Sequence, residues 1–437
     1  MNNRSLIRLG VLGALAMGGL VPAPRGVAAQ ELPQVRLDEA IERALQRSPQ
    51  MAQAAQSVDN AQESYRSSLG QFLPNINGTT GMGIRSSQRF DPTTDRVVSG
   101  SANSYNAGLS GNLVLFQGGR RFKELTRSRA SLSAAEARRD DQRFQVRLQT
   151  EQLFFQALRQ AELLEVARAR IEQAQRSLEL TRTRAQVGEA TRSDTLRARL
   201  ELVNARQAVL EAETALRNAR FALGRQIGER GPVDAVPPDD LDPRPLALTE
   251  EEILALAEAQ SPGVIAAEAS TRAAAAAVSS AKTQWLPTIS ASSGYSWANQ
   301  QASFSGGTTS WNINFSLSYP LFNRFQRETG IANAQYALRV ARLQEDDERL
   351  AARQEADAAL RNLETAERAI DIAREAVAVA EEDLRVVRER YQVNVAIILD
   401  VITSQIALDQ ARVDLVQARY DYLLARAELE AILGREL

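Results

Sequence analysis

Two kinds of periodicity divide the chain. Over most of its length Ala, Leu and Val recur at helical spacing among Arg, Glu and Gln, as in Leu178, Ala185, Leu200, Ala205, Val209, Ala212 and Leu216. A narrow apolar seam between wide polar faces suits coiled-coil packing better than a solid globular core. Two regions switch to a period of two. In Tyr105-Asn106-Ala107-Gly108-Leu109-Ser110-Gly111-Asn112-Leu113, large or apolar residues alternate with Asn, Gly and Ser, and Trp311-Asn312-Ile313-Asn314-Phe315-Ser316-Leu317-Ser318-Tyr319 repeats the pattern more strongly. Ile289, Ala291, Ser293, Tyr295 and Trp297 take one side of a third strand, and Ile76, Met82 and Ile84 fit a fourth. Such alternation places all apolar groups on one sheet face.

The pattern occurs twice. At an offset of 213, Ser48-Pro49 falls on Ser261-Pro262 and Phe72-Leu73-Pro74 on Trp285-Leu286-Pro287. At an offset of 206, Leu115-Phe116 falls on Leu321-Phe322, Val187 on Val393, Asp194 on Asp400, and Ile227-Gly228 on Leu433-Gly434. The difference between the offsets is absorbed between residues 86 and 104, where a longer polar loop is expected in the first copy. A tandem helix–strand–strand–helix repeat follows, an α+β chain. The first copy covers residues 30–228, with helices about 37–71, 120–186 and 191–228 and strands within about 74–116. A linker at 229–248 holds five of the 14 prolines, and the second copy covers 249–437, with strands within about 287–322. Thr249 and Glu252 form a capping box that opens it. At 1.5 Å per residue the long helix of each copy reaches about 100 Å, and dense charge keeps it out of a bilayer.

Composition narrows the chemistry. The 437 residues carry Lys+Arg 52 and Asp+Glu 54, a net charge of -2, with no basic footprint for nucleic acid. Cysteine and histidine are both absent, which removes thiolate nucleophiles and ligands and the commonest general base. Acidic runs such as Glu345-Asp346-Asp347-Glu348 sit in helical sequence and read as solvated faces. No catalytic residue, metal site or cofactor is expected. Arg4 and Arg8, an apolar stretch from Leu9 to Leu20 and Val27-Ala28-Ala29 read as a secretory signal over residues 1–29.

Charge decides what the strands face. Residues 285–322 and 102–116 contain no charged side chain, and the polar face of the strands is Asn and Ser. All three tryptophans, Trp285, Trp297 and Trp311, lie there, and with Tyr105, Phe315 and Tyr319 they form a candidate aromatic band. Uncharged strands of about ten residues flanked by aromatics match a transmembrane β-barrel. Four strands cannot close a barrel and an open edge is not tolerated in lipid, so the chain must oligomerise. Two, three or four copies all satisfy that requirement. A soluble periplasmic coiled-coil adaptor or scaffold is the alternative, and it gives no reason for a lipid-sized aromatic band.

The duplicated plan, the two Leu-Pro junctions and the paired turns Ala185-Gln186-Val187-Gly188-Glu189-Ala190-Thr191-Arg192-Ser193-Asp194 and Tyr391-Gln392-Val393-Asn394-Val395-Ala396-Ile397-Ile398-Leu399-Asp400 resemble the TolC-like outer membrane efflux protein family. The resemblance spans essentially the whole chain after the signal. It implies a homotrimer whose 12-stranded barrel in outer-membrane lipid continues into a helical periplasmic tunnel. The tunnel would dock on a periplasmic adaptor and an inner-membrane pump, as the exit duct of tripartite efflux or type I secretion. It implies that Asp194, Tyr391 and Asp400 gate or line the periplasmic constriction. Val187, Gly188, Ala190, Val393, Asn394 and Ala396 would be the adaptor-contacting tips. Ala396 stands where the family often has an arginine, and Asn394 where it usually has glycine. By charge alone a ring of carboxylates would favour cations, while Asp194 and Asp400 also suit the positive ends of helices. The apolar run Val395-Ala396-Ile397-Ile398-Leu399 reads as adaptor contact or as packing against neighbouring helices, and the converging tips favour packing.

Overall fold

The computed structural model describes residues 32–93, 95–238, 243–303 and 305–437, so the expected signal at 1–29 lies outside the described residues. Strand β1 (Gln34–Val35) leads into helices α1 (Leu37–Arg47) and α2 (Pro49–Gly70), strands β2 (Asn75–Asp91) and β3 (Arg96–Phe116), and helices α3 (Arg120–Gln186) and α4 (Arg192–Gln226). After β4 (Asp234–Ala235) come α5 (Glu250–Gln260), α6 (Pro262–Lys282), β5 (Thr288–Asn299), β6 (Thr308–Ser318), α7 (Gln326–Gln392) and α8 (Ile398–Leu433). Helices α3 and α7 have 67 residues each. Shorter helices lie along both: α1, α2 and α4 on α3, and α5, α6 and α8 on α7. Contacts of α3 with α6 and α8 join the two copies.

Two expectations are corrected and a third gains detail. The single helix expected at 37–71 is two. Ser48 is extended, its side chain accepts the Gln50 N–H at 3.2 Å, and Pro49 opens α2. Proline lacks the N–H that would continue the ladder and its ring clashes with the preceding turn, so the helix restarts. Ser261 and Pro262 do the same between α5 and α6, with Ser261 accepting from Val264 N at 3.2 Å. The polar loop expected at 86–104 is instead strand: β2 and β3 pair without a break from Asn75↔Asn112 to Asp91↔Arg96. Arg85, Arg89, Asp91 and Arg96 all fall in this extension, so the uncharged part of β2 stays near the 12 and 11 residues of β5 and β6. Finally, the Pro-rich linker is built into the fold. Its β4 pairs in parallel with β1, Asp234 accepts from Arg220 at 2.7 Å, and the Tyr422 hydroxyl accepts from Arg244 N at 3.0 Å. Gly224 is required beneath it, because a Cβ there would stand 2.2 Å from the Gly231 carbonyl oxygen.

The cores follow this plan. Mid-length, Val146, Phe154, Leu223, Ile227, Val233 and Tyr420 bury one cluster, and Ile253, Leu360, Leu363, Ile370, Tyr422 and Leu429 a second. Toward the hairpin tips only thin seams remain. Ala174, Leu178, Ala198, Leu202 and Ala205 close α3 on α4, while Leu384, Tyr391, Ile398, Val401 and Leu408 close α7 on α8. Alanine on the first seam lets the backbones approach closely, and wide polar faces stay outside.

Candidate functional site

At one end of the molecule the four long strands form an antiparallel sheet in the order β2-β3-β5-β6. The register puts Leu109 opposite Tyr295, Ala107 opposite Trp297, Tyr295 opposite Trp311, Ser293 opposite Ile313 and Ala291 opposite Phe315. Together with Met82 opposite Tyr105, these make one continuous apolar and aromatic face. Trp311 is 74% exposed and Phe315 73%, although hydrophobic residues of this size are normally covered. The opposite face is polar. Ser290 and Ser316 share a hydrogen bond of 2.8 Å, as do Ser296 and Ser310, and Ser292 faces Asn314. Trp297 lies near the end of β5 and its indole N–H donates to the Gly306 carbonyl at 3.1 Å. Trp285 sits just before β5 with the Arg327 guanidinium 4.2 Å from its ring centroid, and Tyr319 follows β6. Among the described residues the outer edges of β2 and β6 have no partner strand.

The far end consists of two hairpin tips. Val187 and Val393 are exposed, Gly188 has φ 80° and Asn394 φ 64°, the left-handed conformation each turn needs. Ala190 and Ala396 are half-buried, Ala396 against the α7/α8 seam. The apolar run splits: Ile398 is buried in its own hairpin, while Val395, Ile397 and Leu399 are exposed. Asp194 and Asp400 each serve the start of a helix. Asp194 Oδ2 accepts from Thr191 N at 2.9 Å and Thr191 Oγ1 at 2.7 Å, and Asp400 Oδ2 accepts from Ile397 N at 3.1 Å. Two free N–H groups and the positive end of a helix dipole are thereby satisfied.

Tyr391 is not at the tip surface. It is buried in the α7/α8 seam, and the ring carries the guanidinium of Arg184 at 4.6 Å from its centroid. Arg184 Nη1 donates to the Tyr391 carbonyl at 2.5 Å and Nη2 to Asn394 Oδ1, with Glu189 at 3.5 Å. One arginine of the first copy thus grips the turn of the second. Arg184 escaped sequence reasoning. Its equivalent in the second copy, Arg390, is exposed, so residue type and spacing gave no warning. The available signal was an arginine in the last turn of α3 with an aromatic at the end of the matching helix.

Comparison with known proteins assigns this architecture. A family model described as Outer membrane efflux protein matches residues 40–229 and 253–435, once in each copy. The chain belongs to the outer membrane efflux protein family. The Outer membrane protein TolC of Vibrio cholerae is 25% identical over 415 residues, covering 91% of this chain and 90% of that protein. The Pyoverdine export outer membrane protein OpmQ of Pseudomonas aeruginosa is 27% identical over 320 residues, covering 70% and 66%. Solved structures share the fold. CusC superposes with a TM-score of 0.78 at 20% identity over 91% of this chain and 92% of its own. The Campylobacter jejuni CmeC outer membrane channel gives 0.78 at 18% identity over 91% and 85%.

Family membership makes the chain an outer-membrane exit duct that extends into the periplasm, in a family of channels rather than enzymes. It also removes the soluble adaptor alternative. Among the described residues no helix is long and apolar enough to cross a membrane.

Proposed function

We propose that three copies of this chain close a barrel of twelve strands, four from each, and that the long helices continue it as a periplasmic tunnel. The observation that carries this is the sheet itself. It is apolar on one face, Asn- and Ser-rich on the other, and, among the described residues, open at both edges. Lipid satisfies the first face and water the second, and only neighbouring copies can satisfy the edges. The aromatic band of Tyr105, Trp285, Trp297, Trp311, Phe315 and Tyr319 meets outer-membrane lipid. The duct does no chemistry. It conducts what a periplasmic adaptor and an inner-membrane pump deliver.

In this reading the hairpin tips close the periplasmic end. Val187, Gly188, Ala190, Val393, Asn394 and Ala396 offer the adaptor a small, mostly uncharged surface. Asp194 and Asp400, fixed as helix caps, add negative charge around the opening and favour cations. Tyr391 acts indirectly by giving Arg184 a ring to rest on, so the two hairpins of each chain stay together. Mass measurement of the detergent-solubilised complex with planar-bilayer recording tests the proposal. Three chains with discrete, cation-favouring conductance are expected. A monomer that forms no channel would end the reading.

A further inference from the structure

A cavity of about 420 Å³ lies between the hairpins on the barrel side of Arg184, lined from α3, α4, α7 and α8. Three arginines from three helices line it: Arg176 on α3, Arg388 on α7 and Arg412 on α8. Two have carboxylate partners in exposed positions, Arg412 with Glu381 at 2.7 Å and Arg176 with Glu172 at 3.6 Å. Arg388 differs. Its Nη2 donates to the neutral Gln405 Oε1 at 3.0 Å, and among the described ion pairs it has none. The nearby acids face Arg170. Glu201, which also lines the cavity, accepts from Arg170 at 2.7 Å; Asp409 accepts from Gln405 at 3.0 Å through Oδ1, while its Oδ2 has no hydrogen bond and lies 3.6 Å from Arg170. Burial, then the charges of Arg176 and Arg412, hold the Arg388 guanidinium below its usual range, with Asp409 pulling the other way.

A second observation points into the same space. Tyr391 lines the cavity, is 7% exposed, and its hydroxyl has no hydrogen-bond partner. A buried O–H without an acceptor is costly, and so is a part-buried cation short of a counter-charge. One ligand type satisfies both: an oxygen-bearing anion that accepts from the hydroxyl and the guanidinium together.

We propose that this cavity binds a small oxyanion of phosphate or carboxylate type, held by Arg388 and Tyr391 in the field of Arg176 and Arg412. Both holding residues lie on α7, and Arg176 from α3 and Arg412 from α8 add positive charge from the neighbouring helices beside the Arg184 contact. The site is built within one chain, so it does not depend on how many chains assemble or on where the duct closes.

Calorimetric titration of the purified full-length protein in detergent tests it, with inorganic phosphate and acetate as separate probes in a buffer free of both. Saturable binding of at least one probe, at one site per chain, is expected. Binding of phosphate alone identifies a phosphate-type ligand, and of acetate alone a carboxylate. Arg388→Gln should weaken binding on the order of tenfold, and Tyr391→Phe several-fold. Arg353→Gln, whose partner is Glu258 at 2.9 Å, should leave it unchanged. Tyr391→Phe removes only the hydroxyl and keeps the ring against Arg184, so it carries the test if Arg388→Gln does not fold. No saturable binding of either anion, or undiminished binding in Tyr391→Phe, overturns the proposal.

Discussion

The guanidinium of Arg184 rests 4.6 Å from the centroid of the Tyr391 ring, joining the ends of the two 67-residue helices. The contact exists because the copies have diverged. Tyr391 occupies the position of Ala185 in the first copy, and Asn394 that of Gly188. Glycine takes the left-handed turn without strain, whereas asparagine at φ 64° is tolerated at some cost. In return its side-chain oxygen accepts from Arg184, which a glycine cannot do.

Arg184→Gln should therefore loosen the two tips. A buried cation–π contact and charge-assisted hydrogen bonds are together worth about 2–4 kcal/mol. The chain has no native cysteine, so spin labels at Val187→Cys and Val393→Cys report the distance between tips without background. The distance distribution is expected to broaden in Arg184→Gln, and partly in Asn394→Gly. A distribution identical to that of the parent would remove Arg184 from the latch.

Much of this molecule is legible in its sequence. Helix α3 runs from Arg120 to Gln186 as expected because Gly118-Gly119 and Val187-Gly188 punctuate it, at φ 58°, 75° and, for Gly188, 80°. The sheet was readable because large apolar residues alternate with Asn, Gly and Ser along β3, β5 and β6, so one face is apolar and the other polar. The extended β2–β3 hairpin was not, because Arg85-Ser86-Ser87-Gln88-Arg89 has no apolar alternation and is held by backbone pairing. Arg184 was hidden for another reason: its partner carbonyl is 207 residues away, and no local pattern encodes that distance.

Asp400 separates capping from charge. Asp400→Ala removes the acceptor for Ile397 N, costing about 1 kcal/mol at the start of α8, and removes the charge as well. Asp400→Asn keeps an acceptor and removes only the charge. In planar bilayers both variants should lose cation preference, while only the alanine variant should lower thermal stability. If the asparagine variant conducts with unchanged selectivity, Asp400 is a cap and nothing more.

The two faces of β6 should respond oppositely to charge. Ile313 lies mid-strand on the apolar face and Asn314, opposite Ser292, on the polar one. Arginine facing lipid near the bilayer midplane costs about 2–4 kcal/mol, whereas a face lining water tolerates it. Ile313→Arg should reduce the assembled complex recovered from outer membranes. Asn314→Arg should assemble normally and reduce cation conductance. Equal recovery of both variants would place the wrong face outward.

Stability should decline as pH rises above the ordinary carboxylate range, and Glu151 is one source. It is buried on α3 at 2.9 Å from Arg147, yet its pKa is raised because burial, helped by Glu430 and Glu436, outweighs the arginine. The folded chain then holds this proton more tightly than the unfolded chain. Its contribution is full below the ordinary value and is lost as pH climbs through the raised one. Glu151→Gln fixes the neutral form and should flatten the dependence of the thermal midpoint above the ordinary carboxylate range. Arg147 keeps a partner in the variant through Glu436 at 2.8 Å, so the fold around it should hold. A slope as steep as the parent's would assign the dependence to other buried acids, of which Asp409 is the first to test.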